Sequence, residues 1–365
     1  MISSRAVLFL LFVIPSYLIS QNFLDRLNVP IYISSSVSTG YDSNIFRLSN
    51  FEREFEYQNQ ILIINANTLD DGYLNPKISI NYSPYLINEI KTQFNFSFSK
   101  THYFGTEDKS YNIIFSELAI KLGSYRWLKF AHRYLPKYYL RNYIDHDLSE
   151  GEYSACFFSS ESFGVSFSNP IVKKIWSRGK YTRTNLYYNI DFTEYDTEID
   201  QVELRLNSSY FKMNSSFWLS YAKGNNISYS SGYISSMYDR SYKEYVFGFS
   251  SNKRIKSLSF LDRIGMSSVI KSRAYNEESA SDPIHSGREH LEYNLSLWFE
   301  QKLNSSLSHQ FRIKYRDRDV FSNFNVNYFA GTDTAHEVAI TDLKSFEKFE
   351  FIYKVVFNTH LDFLF

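Results

Sequence analysis

Four residues lie close enough along the chain to suggest hydrolysis: Asp145, His146, Asp147 and Ser149. An imidazole beside a hydroxyl and a carboxylate can take the hydroxyl proton and make a nucleophile, provided the three meet in space. Neighbouring positions in one loop do not supply that geometry, and a charged surface loop accounts for the cluster equally well. The other histidines offer less: His309 stands beside Ser308 and His360 near Asp362, neither with a third partner. The eight histidines are scattered without metal-ligand spacing. Asp70-Asp71 and Glu277-Glu278 read as solvated loop acids, and no glycine-rich phosphate loop is present. No catalytic residue, metal or cofactor is therefore assigned, no enzymatic activity is expected, and a surface-loop hydrolase is the weakest functional reading.

A second set of charges is more informative because of what separates its members. Arg183, Glu203, Arg205, Glu292, Arg312, Lys314, Arg316, Glu350, Lys354 and Asp362 lie in segments where polar residues alternate with apolar or aromatic ones. In the last segment Phe349, Phe351, Tyr353, Val355, Phe357, Leu361, Phe363 and Phe365 share one parity, and Glu350, Lys354, Asn358, His360 and Asp362 the other. A period of two puts one set on each face of a β-strand. The charged set then either pairs across neighbouring strands or lines water in a passage.

The elements that carry these charges are about fourteen such segments, at 30–41, 76–86, 90–100, 110–122, 125–135, 151–168, 181–193, 199–210, 214–223, 242–250, 257–273, 289–300, 306–316 and 349–365. Many match the 9–11 residues a tilted strand needs to cross a bilayer, and exceed the usual strand of soluble proteins. The connectors alternate in length. One end has long loops, of which 42–75 and 317–348 are the longest; the other has mostly short turns, with 169–180 as the exception. A turn near Ser160–Ser162, or a further strand within 57–67, would raise the count to sixteen. Tyr82, Tyr103, Tyr111, Tyr134, Tyr138, Tyr139, Tyr210 and Tyr242 near segment ends are expected to form interfacial girdles. The fold class is all-β, a transmembrane up-and-down antiparallel barrel, with apolar side chains toward lipid and polar ones in the lumen.

Residues 1–20 read as a secretory signal peptide, with Arg5 ahead of the apolar run Ala6–Ile14 and small residues near Ser20, which leaves 21–365 as the barrel. Equal numbers of basic and acidic residues, 39 of each, argue against a nucleic-acid partner. The single Cys156 allows no disulfide within the chain. The run Gly40-Tyr41-Asp42-Ser43-Asn44-Ile45-Phe46, together with the aromatic C-terminal segment, resembles bacterial outer-membrane β-barrel proteins of porin type, including the barrel part of surface lipoprotein assembly modifiers. That resemblance implies an outer-membrane location. It also implies recognition by the barrel-insertion machinery through Tyr353, Val355, Phe357, Leu361, Phe363 and Phe365. Asp42 and Asn44 are expected to make side-chain-to-backbone bonds where the first loop starts. The leading functional expectation is a porin-like passive channel for small polar solutes, or a structural barrel; the alternative is a specific export or uptake barrel working with partner proteins.

Overall fold

The computed structural model describes residues 26–362 except 55–60, 64, 65, 67, 87–89, 145–152, 231–238, 256–260, 281, 282, 284, 285 and 330–334. Residues 1–20, the Asp145–Ser149 cluster, and Phe363 and Phe365 lie outside the described residues.

Fourteen antiparallel strands close into one barrel. In chain order they are β1 Ile31–Asp42, β2 Asp71–Tyr82, β3 Thr92–Tyr103, β4 Tyr111–Gly123, β5 Arg126–Ile144, β6 Tyr153–Val172, β7 Ile175–Tyr188, β8 Thr197–Tyr210, β9 Met213–Asn226, β10 Tyr242–Arg254, β11 Arg263–Tyr275, β12 Glu289–Lys302 and β13 Leu307–Phe321. Two short strands, β14 Asn325–Phe329 and β15 Ala335–Ala339, form a separate hairpin in the last long loop, and β16 Phe346–Leu361 completes the wall. Each strand pairs with its chain neighbour, and β16 pairs with both β13 and β1. Closure satisfies backbone donors and acceptors all round the ring, the condition for strands that face hydrocarbon.

The strand count and the two-ended asymmetry match the sequence reading, but two connectors, 136–150 and 169–180, do not. The expected link 169–180 is mostly strand: β6 runs to Val172, β7 starts at Ile175, and only Lys173-Lys174 turn. Arg178 and Lys180 alternate there with Ser177 and Gly179, so the outer positions are too small to give an apolar signal. The tight turns need left-handed backbone, which Tyr125, Lys174, Phe211 and Lys212 supply at φ between 52° and 66°. β5 is longer than expected because it continues past a bulge between Leu135 and Tyr138, where Pro136 withdraws no ladder donor.

The outer face is apolar over a band that includes Val37, Phe96, Phe130, Val165, Leu204, Leu219, Phe247, Leu297, Phe311 and Phe357, all exposed. Toward the long-loop end the band stops at tyrosines. Tyr181 is in register with Val202, the rings of Tyr221 and Tyr245 meet at a tilt with centroids 5.3 Å apart, and Tyr315 faces Phe349. Tyr41, Tyr181 and Tyr315 reach the carboxylates of Asp70, Asp200 and Glu347 at 2.5, 2.5 and 3.5 Å, so acid follows aromatic directly outside the band. These residues form the girdle at that edge. Tyr103, Tyr139 and Tyr242, expected in a girdle, are instead buried inside the barrel. Above the lipid band the polarity of the wall inverts: its outside meets water, and its inside meets the loops folded into the mouth.

Inside, aromatic rings lie over glycines of the adjacent strand. A Cβ on Gly248 would fall 2.0 Å from Trp218, and one on Gly265 would fall 2.2 Å from Trp298. Tyr242 covers Gly224 in the same way, at 2.4 Å. A Gly265→Val substitution is expected to destabilise the barrel by about 1–3 kcal/mol through overpacking. Urea unfolding in lipid vesicles reads this out, with recovery expected when Trp298→Ala is added.

A charged lumen and its inward loops

The ladder register sorts the charged side chains by face. On β12, β13 and β16, Glu292 stands beside Arg318, Asn294 beside Arg316, Ser296 beside Lys314 and Trp298 beside Arg312; Lys314 in turn faces Glu350, and Gln310 faces Lys354. All belong to the inner set. Glu292 accepts from Arg316 at 2.6 Å and from Arg318 at 2.9 Å, and Glu350 accepts from Lys314 at 2.8 Å. Across the lumen, Glu203 holds Arg178 at 2.9 Å and Arg205 at 3.1 Å. Farther round, Glu244 takes Arg273 at 2.6 Å, and Glu117 takes Lys129 at 2.9 Å.

Two expected lumen residues lie elsewhere. Arg183 is in register with the exposed Phe163 and with Asp200, on the outer face, where it pairs with Glu198. It sits above the lipid band, in the region where the outside of the wall is polar. Its neighbours Leu186 and Tyr188 accordingly line the interior chamber described below, rather than facing lipid. Asp362 follows the end of β16 and is exposed beside His360 at 3.7 Å. Sequence parity also passed over several inward cations, among them Arg178, Lys180, Lys271, Arg273, Arg318 and Lys348. Their signal is the same alternation, hidden where the outward neighbours are Ser or Gly, as at Arg178, or acidic, as at Arg318. Along the wall, inward basic side chains outnumber inward acidic ones by roughly two to one, although the whole chain is neutral.

The Gly40–Phe46 run folds the first long loop into the barrel. The Asp42 carboxylate accepts from the Asn44 backbone N–H at 3.1 Å, an Asx turn as expected, and from Lys348 Nζ at 2.5 Å across the β1–β16 seam. The Asn44 amide donates to the carbonyls of Leu48 and Glu347, at 2.8 and 3.1 Å, and its oxygen accepts from the Leu48 N–H. Ser49 and Glu52 cap the helix Asn50–Glu54 reciprocally. Glu52, buried, holds Arg141 of β5 at 2.9 Å. Ile45, Phe46, Leu48, Leu62 and Ile63 pack on Tyr73, Tyr103 and Tyr139 of the inner wall. From the other side of the mouth, Ile340 and Leu343 of the helix Ile340–Lys344 pack on Phe51 and Phe324. Lys109, in the loop after β3, is buried and donates to the carbonyls of Tyr139, at 3.0 Å, and Leu140. Burial, with Arg47, Lys348 and Arg141 nearby, holds its ammonium well below the usual lysine range.

Three cavities have inner-face residues in their walls. At the long-loop end a chamber of about 460 Å³ is lined by Arg47, Arg273, Arg316, Arg318, Tyr195 and Tyr242 among others. Arg316 also borders the next cavity, about 290 Å³, with Lys314, Lys348 and Glu350 in its wall. At the turn end, a space of about 380 Å³ is lined by Ser34, Lys77, Ser79, Asn81, Asn95 and Ser97. This interior can bind, filter or pass small polar molecules; among the described residues no group of three or more His, Cys, Asp or Glu is placed to hold a metal ion.

Asp42→Ala would leave Lys348 buried with Glu350 as its remaining acid, at 3.2 Å. Removing one member of a buried pair costs about 3–5 kcal/mol. The first loop is therefore expected to be cut by protease many times faster than in the parent protein, with the barrel core intact on gels.

No protein-family profile matches the chain, and no curated protein matches it. Solved structures do. An anion-selective porin from Comamonas acidovorans superposes with a TM-score of 0.44 at 7% identity, covering 90% of this chain and 98% of that one. OmpT, an outer membrane protein of Vibrio cholerae, gives 0.44 at 8% identity, covering 90% and 97%. Acinetobacter baumannii OccAB3 gives 0.41 at 8%, covering 91% and 99%. The closed antiparallel barrel itself rests on this chain's own strand pairing, not on these superpositions.

Proposed function

We propose that the protein is an outer-membrane channel through which small polar solutes diffuse, with a preference for anions. The observation that carries this reading is the contrast between the two faces of one wall. The outer face is an apolar band edged by tyrosine, while the inner face is polar, cavity-lined and richer in Lys and Arg than in Asp and Glu. Fixed charges of one sign in a narrow passage with low-dielectric walls raise the local concentration of the opposite ion. In this reading the N-terminal segment directs export, the β16 residues Tyr353, Val355, Phe357 and Leu361 serve recognition by the insertion machinery, and outer-membrane lipid covers the band. The first-loop run needs no export role to explain it, since Asp42 and Asn44 are engaged in folding that loop inward.

Purified protein in planar bilayers is expected to give stepwise, ohmic conductance increments in potassium chloride. Replacing Arg312 and Lys314 with glutamate should move the ion preference toward cations. A protein that inserts, runs as a folded barrel on gels and gives no increments at any voltage would sink the channel reading.

A further inference from the structure

The chamber at the long-loop end differs from the rest of the lumen in the composition of its wall. Ten Lys and Arg side chains line its roughly 460 Å³, and among the described residues no Asp or Glu does. Four of these cations share two carboxylates that stand behind them. Glu292 takes both Arg316 and Arg318, Glu244 takes both Arg273 and Lys271, and each is at most 9% exposed. One carboxylate for two cations leaves positive charge facing the cavity.

How the guanidinium groups are held points the same way. Arg273 lies over the Tyr242 ring at 3.9 Å, Arg240 over Tyr195 at 4.5 Å, Arg141 over Tyr143 at 4.8 Å and Arg318 over Phe346 at 5.0 Å. A guanidinium stacked on a ring is fixed through its face. Glu244 and Tyr275 take one N–H from each nitrogen of Arg273, and Glu292 takes two from Arg318, so only their remaining terminal N–H groups are left to meet carboxylate or phosphate oxygens. The Nε of Arg316, which borders the chamber, is buried with no partner. Buried donors are seldom left so. The volume falls within the ~300–1,000 Å³ range of small-molecule sites.

We infer that this chamber is a binding site for a small oxyanion carrying two or more phosphate or carboxylate groups, held between stacked arginines before it moves toward the turn end. The inference deepens the channel reading and rests on it for the ligand's onward path, but binding itself does not require conduction. The two are therefore separable.

Calorimetry on the full protein in detergent micelles, with pyrophosphate, citrate and sucrose as probes, tests the site directly. Pyrophosphate or citrate should bind at one site per chain, and sucrose should not; the tighter of the two anions identifies the preferred group. Raising salt from about 0.05 M to about 0.5 M should weaken the anion's binding by about tenfold, as screening requires. The Arg273→Gln/Arg318→Gln variant should lose most of the binding, while Arg183→Gln, on the outer face, should keep it. Should the double variant not fold, the salt series and the sucrose comparison still decide. Binding of neither anion, or equal binding of sucrose, would overturn the site. If a conducting channel shows no anion binding, only the chamber fails; if the anions bind but no conductance is seen, only the channel reading fails.

Discussion

Closure of the hydrogen-bond ladder between the first and last strands is the constraint on which the rest of the molecule depends. β1 and β16 pair over the whole of β1, from Ile31 with Leu361 to Asp42 with Glu350. Without that seam the sheet would have two open edges, each a row of unmet N–H and C=O groups facing hydrocarbon, where every unmet group costs several kcal/mol. The seam also carries the loop anchor. Asp42 at the end of β1 holds Lys348 of β16, and from this point Asn44 and Glu52 draw the first loop into the mouth. Closure and constriction are thus tied together at the same few residues.

A second device recurs along the inner wall. Arg205 lies over Trp218, which covers Gly248; Arg312 lies over Trp298, which covers Gly265; Arg273 lies over Tyr242, which covers Gly224. Each is a layer of glycine, ring and guanidinium flat against the sheet. The missing Cβ lets the ring sit low, and the ring holds the arginine at the wall. Bulky cationic side chains are accommodated this way without filling the lumen, which lets a barrel of only fourteen strands keep cavities along its interior. The charge at the inner wall is in consequence both fixed and accessible.

Much of this architecture was legible in the sequence because lipid and lumen impose opposite preferences on alternate residues. Alternation alone placed Glu203, Arg205, Glu292, Arg312, Lys314, Arg316, Glu350 and Lys354 on one face, and the lengths of the connectors separated the two ends. The rule fails where its cause is absent. Above the lipid band, Arg183 faces outward and is exposed, while Leu186 and Tyr188 line the interior chamber. Parity read with the membrane rule therefore assigns Arg183 to the wrong side. The burial of Tyr103, Tyr139 and Tyr242 was hidden for the same reason. The inward course of the first loop depends on contacts between residues some 300 positions apart, such as Asn44 with Glu347, which no local pattern encodes.

A chain with no net charge thus presents a lumen richer in cations than in anions. The reversal potential of the purified channel in a potassium chloride gradient tests it most directly. The reversal potential should be displaced toward the chloride equilibrium value, with the displacement shrinking as salt is raised. A value at zero in low salt, or one displaced toward the potassium equilibrium value, would contradict it.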